Sequence, residues 1–196
     1  MKSPVKKDSH LPRKAFHALA GSIIPTVYYM DLFPGSWVTA VTAFFTVIWI
    51  SFEAARLKRP GLNGFFRQRF GFLMKTREAR SPTGVAYMLA GSTLALLLFS
   101  QPVAVAVLYF IALGDPAAAV VGKAVGRVRI YRARTLEGSA VMFVVCLALG
   151  RFFADISWSA AAVGALVAAL AELYSGQIDD NLTVPVLSGA AIMSLG

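Results

Sequence analysis

Residues 83–127 read TGVAYMLAGSTLALLLFSQPVAVAVLYFIALGDPAAAVVGKAVGR, and this stretch decides the fold class. Two apolar runs, residues 83–99 and 102–121, are separated only by a short step that contains Ser100 and Gln101. A run of about 16 to 20 residues, wound as a helix, spans about 24 to 30 Å, the thickness of a bilayer core. The stretch therefore predicts two successive transmembrane helices.

The rest of the chain follows the same pattern. Further apolar segments cover residues 15–30, 36–52, 137–153, 158–175 and 181–196. The chain is 57% hydrophobic with a mean hydropathy of +0.65, too apolar for a soluble domain. No linker or repeat divides it, and the single cysteine, Cys146, excludes an intrachain disulfide. We predict an all-α polytopic membrane protein with about seven short transmembrane helices, in which residues 1–196 form one integral membrane catalytic domain.

The basic residues predict the topology. If the segments alternate direction, 18 of the 19 Lys and Arg residues fall on one side and only Arg151 on the other. The positive-inside rule then places the N-terminus in the cytoplasm and the C-terminus outside, with a basic cytoplasmic tail at residues 1–12 and a basic cytoplasmic loop at residues 53–82. The phenylalanines of that loop suit an interfacial amphipathic segment, and a solvated basic loop is the equal alternative.

The net charge of +9 indicates that the binding partners are anionic. The basic residues flank membrane segments and no nucleic-acid motif accompanies them, so no nucleic-acid partner is expected. Anionic membrane lipids and phosphorylated substrates fit this arrangement better.

The segment GDPAAAVVGKAVGR, residues 114–127, carries the densest polar signal within the apolar sequence. Asp115 followed by Pro116 predicts an N-cap and first helical residue, so we expect the fourth helix to be broken at Gly114-Asp115-Pro116. After the break, Asp115, Lys123 and Arg127 recur at four-residue multiples on one face, suited to a metal-bound polyphosphate. Gly122 lets a helix or a phosphate approach closely. A plain helix break with snorkelling bases is the alternative.

Two further clusters lie at the same predicted membrane face. RARTLEGSA supplies Arg134 and Glu137, which suit phosphate contacts and an orienting acid, although ordinary helix capping is equally possible. IDDN supplies Asp179, Asp180 and Asn181, whose oxygens are of the kind that Mg²⁺ favours and are also common in turns.

Two pairs at helical spacing complete the set of polar candidates. Arg13 and His17 lie four residues apart in the first segment, and Glu53 and Arg56 lie three apart at the end of the second. A local ion pair or a snorkelling pair is the commoner meaning of such spacing. Glu53 is alternatively a base or a supporting carboxylate.

Five motifs in order resemble one family. They are RKAFHALAG from Arg13, the ExxR of Glu53, GDPAAAVVGKAVGR from Gly114, RTLEGSA from Arg134 and IDDNLTVP from Ile178. The combination resembles the dolichol kinases, phytol kinases and CTP-dependent diacylglycerol kinases over nearly the whole chain. The resemblance implies transfer of the terminal phosphate of a nucleoside triphosphate, usually CTP, to an isoprenoid alcohol or diacylglycerol. Arg134 stands where this family often has lysine.

Taken with the motifs, the resemblance assigns roles to the candidates. Asp115 and Asp180, with Asp179 as a further ligand, are expected to hold Mg²⁺. The nucleotide is expected to contact Lys123, Arg127, Arg134, Gly114 and Gly122. Glu137 or Glu53 is expected to orient the lipid hydroxyl or accept its proton, and Asp115 also counts as catalytic. Arg13, His17 and Asn181 are further site candidates. We expect a multi-pass protein of a bacterial plasma membrane whose active site faces the cytoplasm.

Two other functions stay open from the sequence. A CTP-dependent phosphatidate cytidylyltransferase, which makes a CDP-lipid, would use similar groups. A small lipid or solute transporter would also have a broken helix, but it needs polar groups on both sides of the midplane. Only Asp31, Arg151 and Asp155 lie near the outer half under the predicted topology.

Overall fold

The computed structural model describes residues 10–132, 134–153, 156–175 and 178–195 and is almost entirely helical. Its α-helices are His10–Tyr29 (α1), Gly35–Lys58 (α2), Pro60–Phe70 (α3), Gly84–Leu98 (α4), Gln101–Tyr109 (α5), Asp115–Val125 (α6), Leu136–Phe153 (α7), Trp158–Tyr174 (α8) and Asp180–Met193 (α9). Strands Arg129–Tyr131 (β1) and Arg134–Thr135 (β2) form a small antiparallel hairpin. Predictions that concern Lys2, Lys6, Lys7 and Asp155 lie outside the described residues.

Three of the described helices are long and apolar enough to cross a membrane: Gly35–Lys58, the continuous helix Gln101–Val125, and Leu136–Phe153. Helices α4 and α8 are apolar but shorter. The predicted all-α membrane protein is therefore confirmed. The count of seven spanning helices and their orientation stay predictions.

The predicted basic loop at residues 53–82 is largely helical. Helix α2 continues to Lys58, α3 follows at once, and a 3₁₀ turn covers Thr76–Ala79. Pro60 stands at the start of α3, where its missing N–H costs no helical hydrogen bond. The segment is therefore folded, and its helix α3 packs against α2.

The continuous helix from Gln101 to Val125 is the centre of the fold, and 78% of its most apolar window is buried. Its first part, α5, packs against α1, α7 and α9, while α6 packs against α7. Helix α8 lies between α7 and α9, and α4 contacts α2 and α9. This packing brings the starts of α4, α6 and α9 to the same region as the start of α1.

The predicted break at Gly114-Asp115-Pro116 is wrong, because the helix widens there instead of ending. Residues Phe110–Gly114 form a π-helical turn, and both Gly114 and Asp115 keep right-handed helical angles. Pro116 has no N–H to donate to the preceding turn, and the wider turn accommodates that loss. Asp115 is thus an internal residue of a long helix and does not act as an N-cap.

Gly114 packs closely against side chains of α7. A Cβ atom on it would lie 2.8 Å from Sδ of Met142 and 3.0 Å from Sγ of Cys146, both on α7. Contacts of that length are too close, so a larger residue would require these two side chains to shift. Gly114 therefore leaves room in the core for Met142 and Cys146.

Candidate functional site

A cavity of about 740 Å³ lies among α1, α2, α3, α4 and the starts of α6 and α9. Most of its lining is apolar and aromatic. Its polar lining includes Lys14, Lys75, Asp115, Asp180 and Asn181. Because these residues come from four separate parts of the chain, the fold itself creates this combination of charges.

Lys14 and Asp115 form an ion pair in the cavity. Asp115 is only 4% exposed. A carboxylate buried to that degree needs a partner, and the ammonium group of Lys14 supplies it. The positive charge of Lys14 also acts on Asp180, so α1, α6 and α9 are linked electrostatically.

His17 binds the widened turn of the central helix. Its Nε2 lies 3.1 Å from the carbonyl oxygen of Ile111, and because a carbonyl only accepts, Nε2 donates. In a π-helical turn, the carbonyl of Ile111 would accept from residue 116, which is a proline without an N–H. His17 satisfies that carbonyl, which fixes the position of α1 against the turn that carries Asp115.

The start of α9 is held by bases from the segment before α4. The Oδ2 atom of Asp179 accepts from Nζ of Lys75 at 3.1 Å and also pairs with Arg77. Its Oδ1 atom accepts from the side-chain amide of Asn181 at 2.7 Å and from the backbone N–H of Asn181 at 3.3 Å. Asp179 is therefore the N-cap of α9, which confirms the turn interpretation of this residue.

Arg134 connects Asp180 to α8. Its Nη2 donates to Oδ2 of Asp180 at 3.0 Å and to Oγ of Ser175 at 3.2 Å, while Nη1 pairs with Glu172. Glu172 is 2% exposed. The guanidinium thus neutralises two buried carboxylates and fixes the orientation of Asp180.

Glu78 binds backbone N–H groups on both sides of it in the segment between α3 and α4. One carboxylate oxygen accepts from the backbone N–H of Lys75 at 3.0 Å, and the other accepts from that of Gly84 at 3.1 Å. Burial raises the pKa of Glu78 above its ordinary value, although these two N–H groups and the charge of Lys75 favour the ionised form. The carboxyl group therefore orders the backbone around Lys75, although its burial disfavours the ionised form.

Glu53 and Arg56 form a buried ion pair of 2.6 Å, so the predicted local pair is confirmed. Thr83 donates to the second oxygen of Glu53 at 2.9 Å. Arg56 also donates to Oδ1 of Asn63 at 2.7 Å and to the carbonyls of Glu78 and Ser81 at 3.2 and 3.0 Å. This cluster holds α3 and the following segment against α2. Glu53 is not among the described residues that line the cavity.

Glu137 is not among the described residues that line the cavity. Its Oε1 accepts from the backbone N–H groups of Arg127 and Val128 at 2.9 and 3.3 Å. Thr135 accepts from the N–H of Gly138 at 3.2 Å, as expected at a helix start. The capping alternative thus describes Thr135, whereas Glu137, in the first turn of α7, binds backbone N–H groups of the segment before β1.

The predicted nucleotide contacts on α6 are placed apart from the cavity. Lys123 and Arg127 are exposed, and α6 ends at Val125, so Arg127 is not on the helical face that the sequence predicted. A Cβ atom on Gly122 would lie 3.0 Å from Oγ1 of Thr135, which shows that this glycine allows α6 to pack against the start of α7. Arg13 does line the cavity, next to Lys14.

The expected Mg²⁺ would need oxygen ligands from the carboxylates of the cavity. The described residues contain no group of three or more His, Cys, Asp or Glu that could hold a metal ion alone. Mg²⁺ is usually bound through one or two carboxylates, with substrate phosphates and water as the other ligands. Asp115 and Asp180 line the same cavity and match that smaller requirement, whereas Asp179 has Oδ1 engaged in the cap and Oδ2 bound by Lys75 and Arg77.

No motif or spacing in the sequence marks Lys14, Lys75, Arg77 or Glu78 as site residues. Lys14 lies within the RKAFHALAG motif, but the i, i+4 spacing directed attention to Arg13 and His17. The other three residues lie among many bases of the segment from 53 to 82, and no spacing singles them out. The ion pairs of Lys14, Lys75 and Arg77 depend on contacts across about 100 residues of chain, such as Lys75 with Asp179 at a separation of 104, whereas Glu78 binds nearby backbone N–H groups.

The chain is similar to two curated proteins. It is 30% identical over 208 residues to the CTP-dependent diacylglycerol kinase 1 of Eremothecium gossypii, an alignment that covers 91% of this chain and 64% of that protein. It is 28% identical over 207 residues to the CTP-dependent diacylglycerol kinase 1 of Saccharomyces cerevisiae, with 91% and 70% covered. The chain thus spans about two thirds of the length of these relatives. No protein-family model matches it, and no solved structure does.

Proposed function

We propose that this chain belongs with the CTP-dependent diacylglycerol kinases, to which it is similar over 91% of its length, and that it transfers the terminal phosphate of CTP to the hydroxyl of a lipid alcohol. Diacylglycerol is the first candidate acceptor, since both relatives carry that name, and isoprenoid alcohols such as phytol and polyprenols are the second. The observation that carries the proposal is the shared position of Asp115 and Asp180 on a largely apolar cavity.

Phosphoryl transfer depends mainly on positioning and on stabilising charge. A lipid hydroxyl beside Asp115 or Asp180 can donate its proton to a carboxylate, which makes these residues better candidates for the base than Glu53 or Glu137. Lys14 and Lys75 supply positive charge at the same place. They are suited to the developing charge on the transferred phosphoryl group.

Asp115 and Asp180 are the residues that would hold Mg²⁺, and the ion would supply positive charge to offset that of the substrate phosphates. Lys123 is two helical turns beyond Asp115 on α6, about 12 Å along the axis. We propose that the triphosphate extends along this side of α6 toward Lys123 and Arg127, which lie exposed and reachable from the aqueous side.

The distribution of bases supports a cytoplasmic active site on a protein with seven spanning helices. Lys14, Lys75 and Arg134 all belong to the side that carries 18 of the 19 bases under the predicted topology. CTP is a cytoplasmic metabolite, so donor and site would meet in the same compartment.

Lipid phosphorylation by membranes that contain this chain tests the proposal. The membranes are given CTP or ATP labelled in the terminal phosphate, Mg²⁺, and separately diacylglycerol, phytol or a polyprenol. We expect label in one lipid with CTP as donor, and its loss in Asp115→Asn but not in Asp31→Asn, which lies on the turn after α1. Formation of a CDP-lipid from alpha-labelled CTP, without labelled lipid, would contradict a kinase and indicate a cytidylyltransferase.

A further inference from the structure

The apolar lining of the cavity is made largely of aromatic rings. Helix α2 contributes Trp49 and Phe52, and α3 contributes Phe65, Phe66 and Phe70. We call this part the aromatic groove. Its rings contact one another: the centroids of Phe52 and Phe66 are 5.3 Å apart and those of Phe66 and Phe70 are 5.0 Å apart. Such a surface offers a long apolar wall to a hydrocarbon chain.

The groove is held in shape by polar contacts behind it. Arg56 donates to Asn63 of α3, and Asn63 donates to the carbonyl of Ala79 at 2.9 Å. The Arg56 guanidinium also lies 5.4 Å from the ring centre of Phe66. Since Arg56 is fully buried, α3 is fixed to α2 and the aromatic groove is preformed.

The polar end of the same cavity selects the kind of lipid. Asp115 is paired with Lys14, and Asp180 is paired with Arg134, so each of these two carboxylates has a basic partner. A hydroxyl both donates and accepts hydrogen bonds, so it can bind a carboxylate and an ammonium together. A phosphodiester only accepts and is repelled by the two carboxylates. The cavity thus complements a neutral lipid alcohol rather than a phospholipid.

We propose that the aromatic groove is the acceptor site, in which the acyl chains of diacylglycerol lie along α2 and α3 while the free hydroxyl meets Lys14, Asp115 and Asp180. This inference rests on the proposed lipid kinase function for the reaction that follows binding. It assigns α3, a helix in the segment expected to be a basic loop, to substrate recognition.

Tryptophan fluorescence tests the location without turnover. The chain has three tryptophans; only Trp49 is among the described residues of the groove, while Trp37 and Trp158 are each 67% exposed. The variant Trp37→Phe/Trp158→Phe reports Trp49, and Trp49→Phe/Trp158→Phe reports Trp37. Each is titrated in detergent micelles with diacylglycerol brominated on its acyl chains, a contact quencher, and with phosphatidylcholine brominated in the same way.

We expect saturable quenching of Trp49 by brominated diacylglycerol, reversed by unbrominated diacylglycerol and not by phosphatidylcholine. Trp37 should be quenched in proportion to the mole fraction of either lipid. The proposal would be overturned if both tryptophans showed the same quenching curves, or if phosphatidylcholine competed as well as diacylglycerol. Either result would mean that the groove only contacts bulk lipid. As a second measurement, Val85→Phe, which fills the groove, should weaken the saturable quenching at least tenfold. The matched change Val144→Phe, at a position on α7 that is 60% exposed, should not.

The outcome is independent of catalysis because the titration contains no CTP. Saturable quenching in a chain that phosphorylates no lipid would reject the proposed kinase function and retain the lipid site. Lipid phosphorylation without saturable quenching would retain the kinase and reject this site.

Discussion

Lys14 and Asp115 are 101 residues apart in sequence, and their side chains form an ion pair in the cavity. The pair joins the first helix of the chain to the central helix at the point where the π-helical turn ends. It also brings a base into contact with a carboxylate that the sequence marked as functional. The proposed catalytic arrangement therefore depends on the position of α1.

Replacing Lys14 should reduce turnover, and it should also lower stability because it leaves the buried Asp115 without its basic partner. Lys14→Met removes the ammonium that meets Asp115, and loss of one donor at developing charge typically costs about 100-fold in rate. We expect a loss of about that size in lipid phosphorylation, with Lys14→Arg partly active. Lys58→Met, at the exposed end of α2, serves as the control. Full turnover in Lys14→Met would remove Lys14 from the proposed site.

Replacing Arg56 should lower the stability of the fold. Removing one partner of a buried ion pair typically costs about 3 to 5 kcal/mol, because the other charge stays buried. Arg56→Met leaves Glu53 without its base, so we expect a loss of this order in unfolding free energy, seen as a lower unfolding temperature in detergent. Arg59→Met, at an exposed position, should change little. The double variant Glu53→Leu/Arg56→Met should be less destabilised than the sum of the single changes, and strict additivity would argue against the pair.

Lys123 and Arg127 should affect nucleotide binding only. Both are exposed, so Lys123→Gln and Arg127→Gln remove charge without disturbing the core. We expect each to raise the KM for CTP several-fold and to leave the KM for diacylglycerol unchanged. Arg69→Gln, exposed at the end of α3, is a control of equal charge. Unchanged KM values in both variants would place the triphosphate elsewhere, with Lys75 as the next candidate to test.

Glu78 should make stability fall as the pH rises. Burial raises its pKa above the ordinary value of 4.5, so the folded chain keeps this proton to a higher pH than the unfolded chain. The stabilisation is complete below pH 4.5 and is lost as the pH rises through the raised pKa. Glu78→Gln should therefore gain stability relative to the original chain across that window. Thermal unfolding at several pH values measures the difference; Gln68→Ala should show none, and a constant difference for Glu78→Gln would contradict the assignment.

The sequence predicts the helices well because apolar runs and the absence of charge depend on local composition. It also identifies Asp115 and Asp180, since ionisable groups at membrane segments are costly without a role. The predicted break at Gly114 failed for a local reason: proline within a helix can be accommodated by a wider turn as well as by a cap. A sequence pattern alone does not distinguish those two solutions.

The partners of these acids could not be predicted in the same way. Lys14 and Lys75 are bases among many on one membrane face, and only tertiary packing selects them. Glu53 and Glu137 were expected to serve catalysis because acids near a membrane surface attract that interpretation. In the structure Glu53 forms the local pair with Arg56 that the i, i+3 spacing also allowed, and Glu137 binds backbone N–H groups, a role that leaves no distinctive spacing.

Arg134 should act by positioning Asp180, and a comparison of Arg134→Lys with Arg134→Met tests that role. Its guanidinium binds Asp180, Ser175 and Glu172 at once, an arrangement that a lysine ammonium cannot reproduce from a single point. If Arg134 acted directly on phosphate, lysine would retain much of the binding and the KM for CTP would be the quantity most affected. As a positioning residue it should instead lower kcat, by about tenfold in Arg134→Lys and more in Arg134→Met, while the KM for CTP stays within twofold. A rise in the KM for CTP at constant kcat would return Arg134 to the nucleotide site.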